Sequence, residues 1–102
     1  MMMSIAPVCA QLYQYLCAEA KVGGYALAVH GSMSRDMDLI AVPWTDEAES
    51  GKELLQRICQ AVGCDAVEGP YVKPHGRKAW AILLGGDAYI DLSVMPREGE
   101  SG

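Results

Sequence analysis

Apolar residues recur at Val8, Leu12, Tyr15 and Leu16, the three-and-four spacing of a helix with one buried stripe, and predict a helix from Pro7 to about Ala20. Pro7 suits its first turn, and Gly23-Gly24 stop it. Tyr25 to Val29 is a short apolar run of strand type that ends at His30-Gly31-Ser32. A second such run, Met37 to Val42, is closed by Pro43. A second helix is expected to begin between Thr45 and Ser50, where Ser50-Gly51-Lys52-Glu53 has the form of a capping box. Leu54, Leu55, Ile58, Cys59 and Val62 give that helix a core face, and Gly63 fits its end. Ala66 to Val72 reads as a short strand against which Pro70 counts. Lys78 to Leu84 and Ala88 to Met95 are apolar strands joined by Gly85-Gly86-Asp87, a hairpin signal. Helix, strand, strand, helix and hairpin in that order predict an α+β domain, with two helices packed on one face of a small mixed sheet.

The chain has 102 residues, 51% hydrophobic and 21% charged, which excludes a disordered tail or a low-complexity linker. Surface scaling gives about 5,600 Å² folded against about 16,000 Å² unfolded, enough burial for one core. A single domain over residues 1–96 with a loose tail over 97–102 follows. Eight Lys and Arg against thirteen Asp and Glu leave a net charge of -5, which opposes broad, phosphate-driven coating of nucleic acid. A nucleotide site is not excluded, because a bound ion or a few basic side chains reverse the sign locally. Cys9, Cys17, Cys59 and Cys64 lack any CxxC spacing and are expected as buried thiols. The opening MMMSIAPVCAQLYQYLC has no basic leader, and Gln11 and Gln14 break its apolar run, so it reads as neither signal peptide nor membrane span. A cytoplasmic protein without membrane partners is expected.

Asp36 and Asp38 open the second strand as D-M-D-L-I, so both carboxylates point to one face with Cα atoms about 6.6 Å apart. In the last strand Asp91 lies on the polar side, and Ile90, Leu92 and Val94 lie on the other. Carboxylates between apolar neighbours are costly to desolvate and call for compensation. Mg²⁺ would supply it, being bound by one or two carboxylates together with waters and substrate phosphates. The plainer alternative puts Asp36 and Asp38 at an exposed strand mouth and Asp91 on a solvated sheet face. Ahead of the acidic pair, Gly31-Ser32 offers close backbone approach, a hydroxyl and an amide to an anionic group such as a phosphate.

A strand ending in Gly31-Ser32, then Asp36-x-Asp38 opening the next strand, then Asp91 inside a later apolar strand, resembles the nucleotidyltransferase fold of the DNA polymerase β type. Within it, the chain is similar to the minimal nucleotidyltransferases, over roughly Tyr25 to Val94. The resemblance implies that Ser32 contacts nucleotide phosphate and that Asp36, Asp38 and Asp91 are metal ligands for two Mg²⁺ ions. It further implies transfer of a nucleotidyl group from an NTP to an acceptor hydroxyl, with Asp38 and Asp91 as catalytic residues and Asp91 helping to deprotonate the acceptor. Only Met33, Ser34 and Arg35 separate Ser32 from Asp36, where the family carries a longer helical turn that presents backbone amides to the triphosphate. That shortening motivates an alternative: an inactive nucleotidyltransferase-fold module acting through a protein partner, as in toxin and antitoxin pairs.

Lys73-Pro74-His75-Gly76-Arg77-Lys78 is the concentrated basic stretch and reads as a loop. Lys73 and Arg77 are candidates to meet phosphate, and Arg35 either joins them or neutralises Asp36. His30 and His75 are too few for a zinc site. Trp44 and Trp80 are expected over the core or its rim. The open edges of so small a sheet make a homodimer a further expectation.

Overall fold

The computed structural model describes residues 7–30, 36–85 and 88–97, so the candidates Gly31, Ser32 and Arg35 lie outside the described residues, as does the tail from 98 onward. Helix α1 spans Pro7–Val22, β1 Tyr25–Val29, β2 Met37–Pro43, α2 Gly51–Val62, β3 Ala66–Lys73, β4 Arg77–Gly85 and β5 Ala88–Val94. The strands form one mixed sheet in the order β1-β2-β5-β4-β3. Only β2 and β5 run parallel; every other neighbouring pair is antiparallel. This is the α+β architecture expected from the hydrophobic pattern, with the C-terminal hairpin of β4 and β5 in place. The accessible surface of 5965 Å² is close to the scaling expectation for one core.

Alternation along the strands divides the sheet into two faces. Tyr25 and Leu27 of β1, Met37, Leu39 and Ala41 of β2, Ile90, Leu92 and Val94 of β5, and Trp80 and Ile82 of β4 form one buried cluster with Leu16 and Ala20 of α1 and Leu54, Leu55 and Ile58 of α2. Both helices therefore cover the same face. Trp80 belongs to this core, whereas Trp44 is exposed. Tyr13 Oη donates to the Leu27 carbonyl at 3.0 Å and ties α1 to β1. Arg57 joins the helices, donating from Nε to Glu49 Oε2 at 2.9 Å and lying 3.7 Å from Glu19 Oε1.

The helix ends follow the sequence signals. Ser50 caps α2, its Oγ accepting from the Glu53 amide at 3.1 Å while Glu53 Oε1 accepts from the Ser50 amide at 2.8 Å. After α1, Gly24 takes φ 91° at a point where a Cβ would lie 2.7 Å from the Ala48 Cα. That close approach lets the Trp44 amide donate to the Gly24 carbonyl at 3.0 Å and the Glu49 amide to the Gly23 carbonyl at 2.9 Å.

The strand expected from Ala66 to Val72 forms as β3, and it accommodates Pro70 because β3 is the edge strand, where a missing amide leaves no ladder bond unmade. Two details differ from the expectations. Lys73 to Lys78 is less a loop than a turn, since Lys73 closes β3, Arg77 opens β4 and the two residues pair. Cys17, Cys59 and Cys64 are free and half-buried, not enclosed; Cys17 lies on α1, Cys59 on α2 and Cys64 just past the end of α2.

Candidate functional site

The other sheet face carries the acidic residues. In the parallel ladder Asp38 stands directly opposite Asp91, Leu39 opposite Leu92 and Met37 opposite Ile90. Side chains paired in this way share a face and sit on strands about 4.8 Å apart. Ile90, Leu92 and Val94 point into the core, so the period of two sends Asp91 outward beside Asp38. Asp36 precedes β2 on the side of Asp38, with its Oδ1 buried. Three acidic residues from two distant segments are thus brought to one end of the open face.

The register extends this pair into a row across the whole sheet. The His30 amide donates to the Asp38 carbonyl at 2.7 Å on one side, and Ala81 pairs with Asp91 on the other. Ala81 in turn pairs with Glu68 of β3. From edge to edge the row reads His30, Asp38, Asp91, Ala81, Glu68, a line of carboxylates broken by one methyl group. Above that methyl lies a cavity of about 320 Å³ lined by Glu68, Tyr71, Lys73, Ala81, Tyr89 and Asp91, among others.

Beta-bulges in β3 aim its side chains at this cavity. The pairing slips between Glu68 and Tyr71, so that Glu68 meets Ala81 while Tyr71, three positions on, meets Ala79. Gly69 makes the slip sterically feasible. Its φ is 121°, and a Cβ there would lie 2.6 Å from Trp80 Cδ1 and 2.7 Å from the Ala79 carbonyl oxygen. Tyr71 Oη donates to Glu68 Oε2 at 2.7 Å.

Charge at the row is unbalanced. Burial, reinforced by the neighbouring charges of Asp91 and Asp36, pushes the Asp38 carboxyl above its usual range, while His30 and Lys73 pull it partly back. The hydrogen bond to Glu68, followed by burial and the charges of Glu68 and Asp91, holds the Tyr71 phenol above its ordinary value.

Of the residues singled out from sequence, Asp38 and Asp91 face each other, Asp36 precedes Asp38 on the same side of β2, and Lys73 lines the cavity that Asp91 also lines. Arg77 pairs with Lys73 at the start of β4 but, unlike Lys73, is not among the residues that line the cavity or act on the Asp38 charge. His75 sits in the turn beyond Lys73 with φ 67°. Glu68 and Tyr71 escaped the sequence reading, because the register shifts in β3 leave no regular alternation there to follow.

Among the described residues no group of three or more His, Cys, Asp or Glu side chains is close enough to hold a metal ion. Two facing carboxylates of hard oxygen character still suit Mg²⁺, which keeps waters and takes phosphate oxygens for the rest of its shell. Also among the described residues, no helix is long and apolar enough to cross a membrane. Comparison of the chain with known protein families, characterised proteins and solved structures returns no match.

Proposed function

We propose that this chain is a Mg²⁺-dependent nucleotidyltransferase of the DNA polymerase β type, transferring a nucleotidyl group from an NTP to an acceptor hydroxyl. The observation that carries this reading is the direct opposition of Asp38 and Asp91 on neighbouring parallel strands, with Asp36 beside them. Like charges held this close lack a structural rationale of their own, whereas a divalent cation relieves their repulsion. Asp38 and Asp91 would hold the ion, with Asp36 adding negative charge nearby, and the ion would supply charge neutralisation at the phosphates when bound.

The chain's own residues have separable tasks. Lys73 brings an ammonium to the cavity beside Asp91, where it faces phosphate charge. Asp91, open to that cavity, accepts a hydrogen bond from an incoming hydroxyl and orients it. Gly31, Ser32 and Arg35 complete the phosphate contacts in this reading, with Arg77 on the outer flank. Recognition of a small nucleotide rather than a nucleic-acid strand fits a net charge of -5, and the reading carries a cytoplasmic location with it.

Thermal unfolding with Mg²⁺ and each of the four NTPs tests the reading. Binding at a hundredfold excess over Kd adds about 2.7 kcal/mol. The melting temperature should rise with at least one NTP and stay fixed in Asp38→Asn and Asp91→Asn. Absence of a rise with all four NTPs sinks it. The three-residue connection from Ser32 to Asp36 favours one second reading, an inactive module working through a protein partner. In that case Asp38→Asn leaves partner binding intact.

A further inference from the structure

The structure places one hydroxyl of the chain itself where an acceptor would stand. Tyr71 lines the same cavity as Asp91 and Lys73, and its Oη donates to the Glu68 carboxylate at 2.7 Å. The residue is 46% exposed, so its oxygen is reachable from solvent. Ala81, lying between Asp91 and Glu68 in the ladder, contributes only a methyl group and leaves the space above it open. Ser93 lies on the same face but is buried. Tyr89 also lines the cavity, yet among the described residues Tyr71 is the tyrosine there whose proton is directed at a carboxylate.

Resting on the nucleotidyltransferase reading, we propose that Tyr71 is a self-modification site, its phenol oxygen accepting a nucleotidyl group from an NTP bound at the acidic row. Tyr71 Oη attacks the α-phosphorus and forms a new oxygen–phosphorus bond. The bond from that phosphorus to the oxygen bridging the β-phosphorus breaks, and pyrophosphate leaves with the electron pair. The phenol proton passes to Glu68, which serves as general base at hydrogen-bond distance. Lys73 counters the phosphate charge during the transfer. The product is a tyrosyl phosphodiester that fills the cavity and ends the reaction after one turnover per chain. Because the phenol proton already points at the Glu68 carboxylate, its transfer runs through Glu68, while Tyr71 alone supplies the accepting oxygen.

The full chain is incubated with Mg²⁺ and each of the four NTPs, then measured by intact mass and peptide mapping. A gain of one nucleotidyl group is expected with at least one NTP, located on the peptide that carries Tyr71. Tyr71→Phe should abolish the gain while keeping the Mg²⁺ and NTP-dependent rise in melting temperature. Glu68→Gln should slow labelling by roughly a hundredfold, the ordinary contribution of a general base, again with the thermal rise retained. A thermal rise in the wild type without labelling, or labelling confined to another residue, overturns the proposal and leaves the parent reading standing. Absence of both overturns the parent reading and the proposal with it.

Discussion

Replacing Asp38 by Asn removes one charge from a facing pair and keeps the side chain's shape, so it asks whether the acidic row strains the fold. With about 5 Å between the two charges, their repulsion is about 0.8 kcal/mol at the dielectric constant of water and about 3 kcal/mol at an effective value near 20. Asp38 is only half-buried and is opposed by His30 and Lys73, which places the working figure near 1 kcal/mol. For a domain of this size that corresponds to a melting temperature higher by about 4 to 8 °C in Asp38→Asn. The sign also depends on pH. A carboxyl whose folded pKa lies above its unfolded value destabilises the fold once ionised, and the penalty vanishes below the unfolded value of about 3.9. Wild type and Asp38→Asn should therefore converge below about pH 4 and separate as pH rises through the raised folded value. Urea or thermal unfolding across that range measures the gap. Added Mg²⁺ should narrow it, because only the wild type offers both carboxylates. A variant no more stable than wild type at neutral pH, with the same difference in acid, would refute the argument that the pair repels.

Two further substitutions probe the supports of the site. Gly69→Ala puts a Cβ against Trp80 and the Ala79 carbonyl at a backbone angle that side chains rarely adopt, and should cost roughly 2 to 3 kcal/mol; a urea midpoint within about 0.5 kcal/mol of wild type would contradict the account of the bulge. Ser50→Ala should lose about 1 kcal/mol by uncapping α2. Hydrogen bonds from Ser50 hold the Glu53 carboxyl below its usual range, so its contribution is present above the unfolded pKa and is lost as pH falls through the folded value. Glu53→Gln, which removes the titrating carboxyl while Ser50 keeps both of its donors, should accordingly show a flatter acid limb in its stability profile, and an unchanged limb would exclude Glu53 as its source.

The parts of this architecture that were legible in the sequence are those set by local rules. Alternation from Met37 to Val42 and from Ile90 to Val94 was enough to send Asp38 and Asp91 to the polar faces of their strands, and Ser50 to Glu53 announced α2. That the two strands are neighbours was not legible in periodicity, since parallel pairing across half the chain leaves no local mark; only the resemblance suggested it. Glu68 and Tyr71 were hidden for a different reason. A bulge adds a residue to one strand, and each such slip exchanges the faces of everything after it, so counting by twos through Gly69-Pro70 fails. Lys73 was visible as a basic residue, but its arrival beside Asp91 depends on the same slip.

The central position of β5 has a consequence for how the protein comes into being on the ribosome. As the chain emerges, β1 with β2 and β3 with β4 complete two hairpins that share no strand, and β5, made after all four, must wedge between them. Until then Asp38 has no counterpart across the parallel ladder. The facing of the two carboxylates, and under the proposed function any ion held between them, therefore waits for β5 to dock, and a nascent chain stalled before Tyr89 would carry both helices and the two hairpins without that pair.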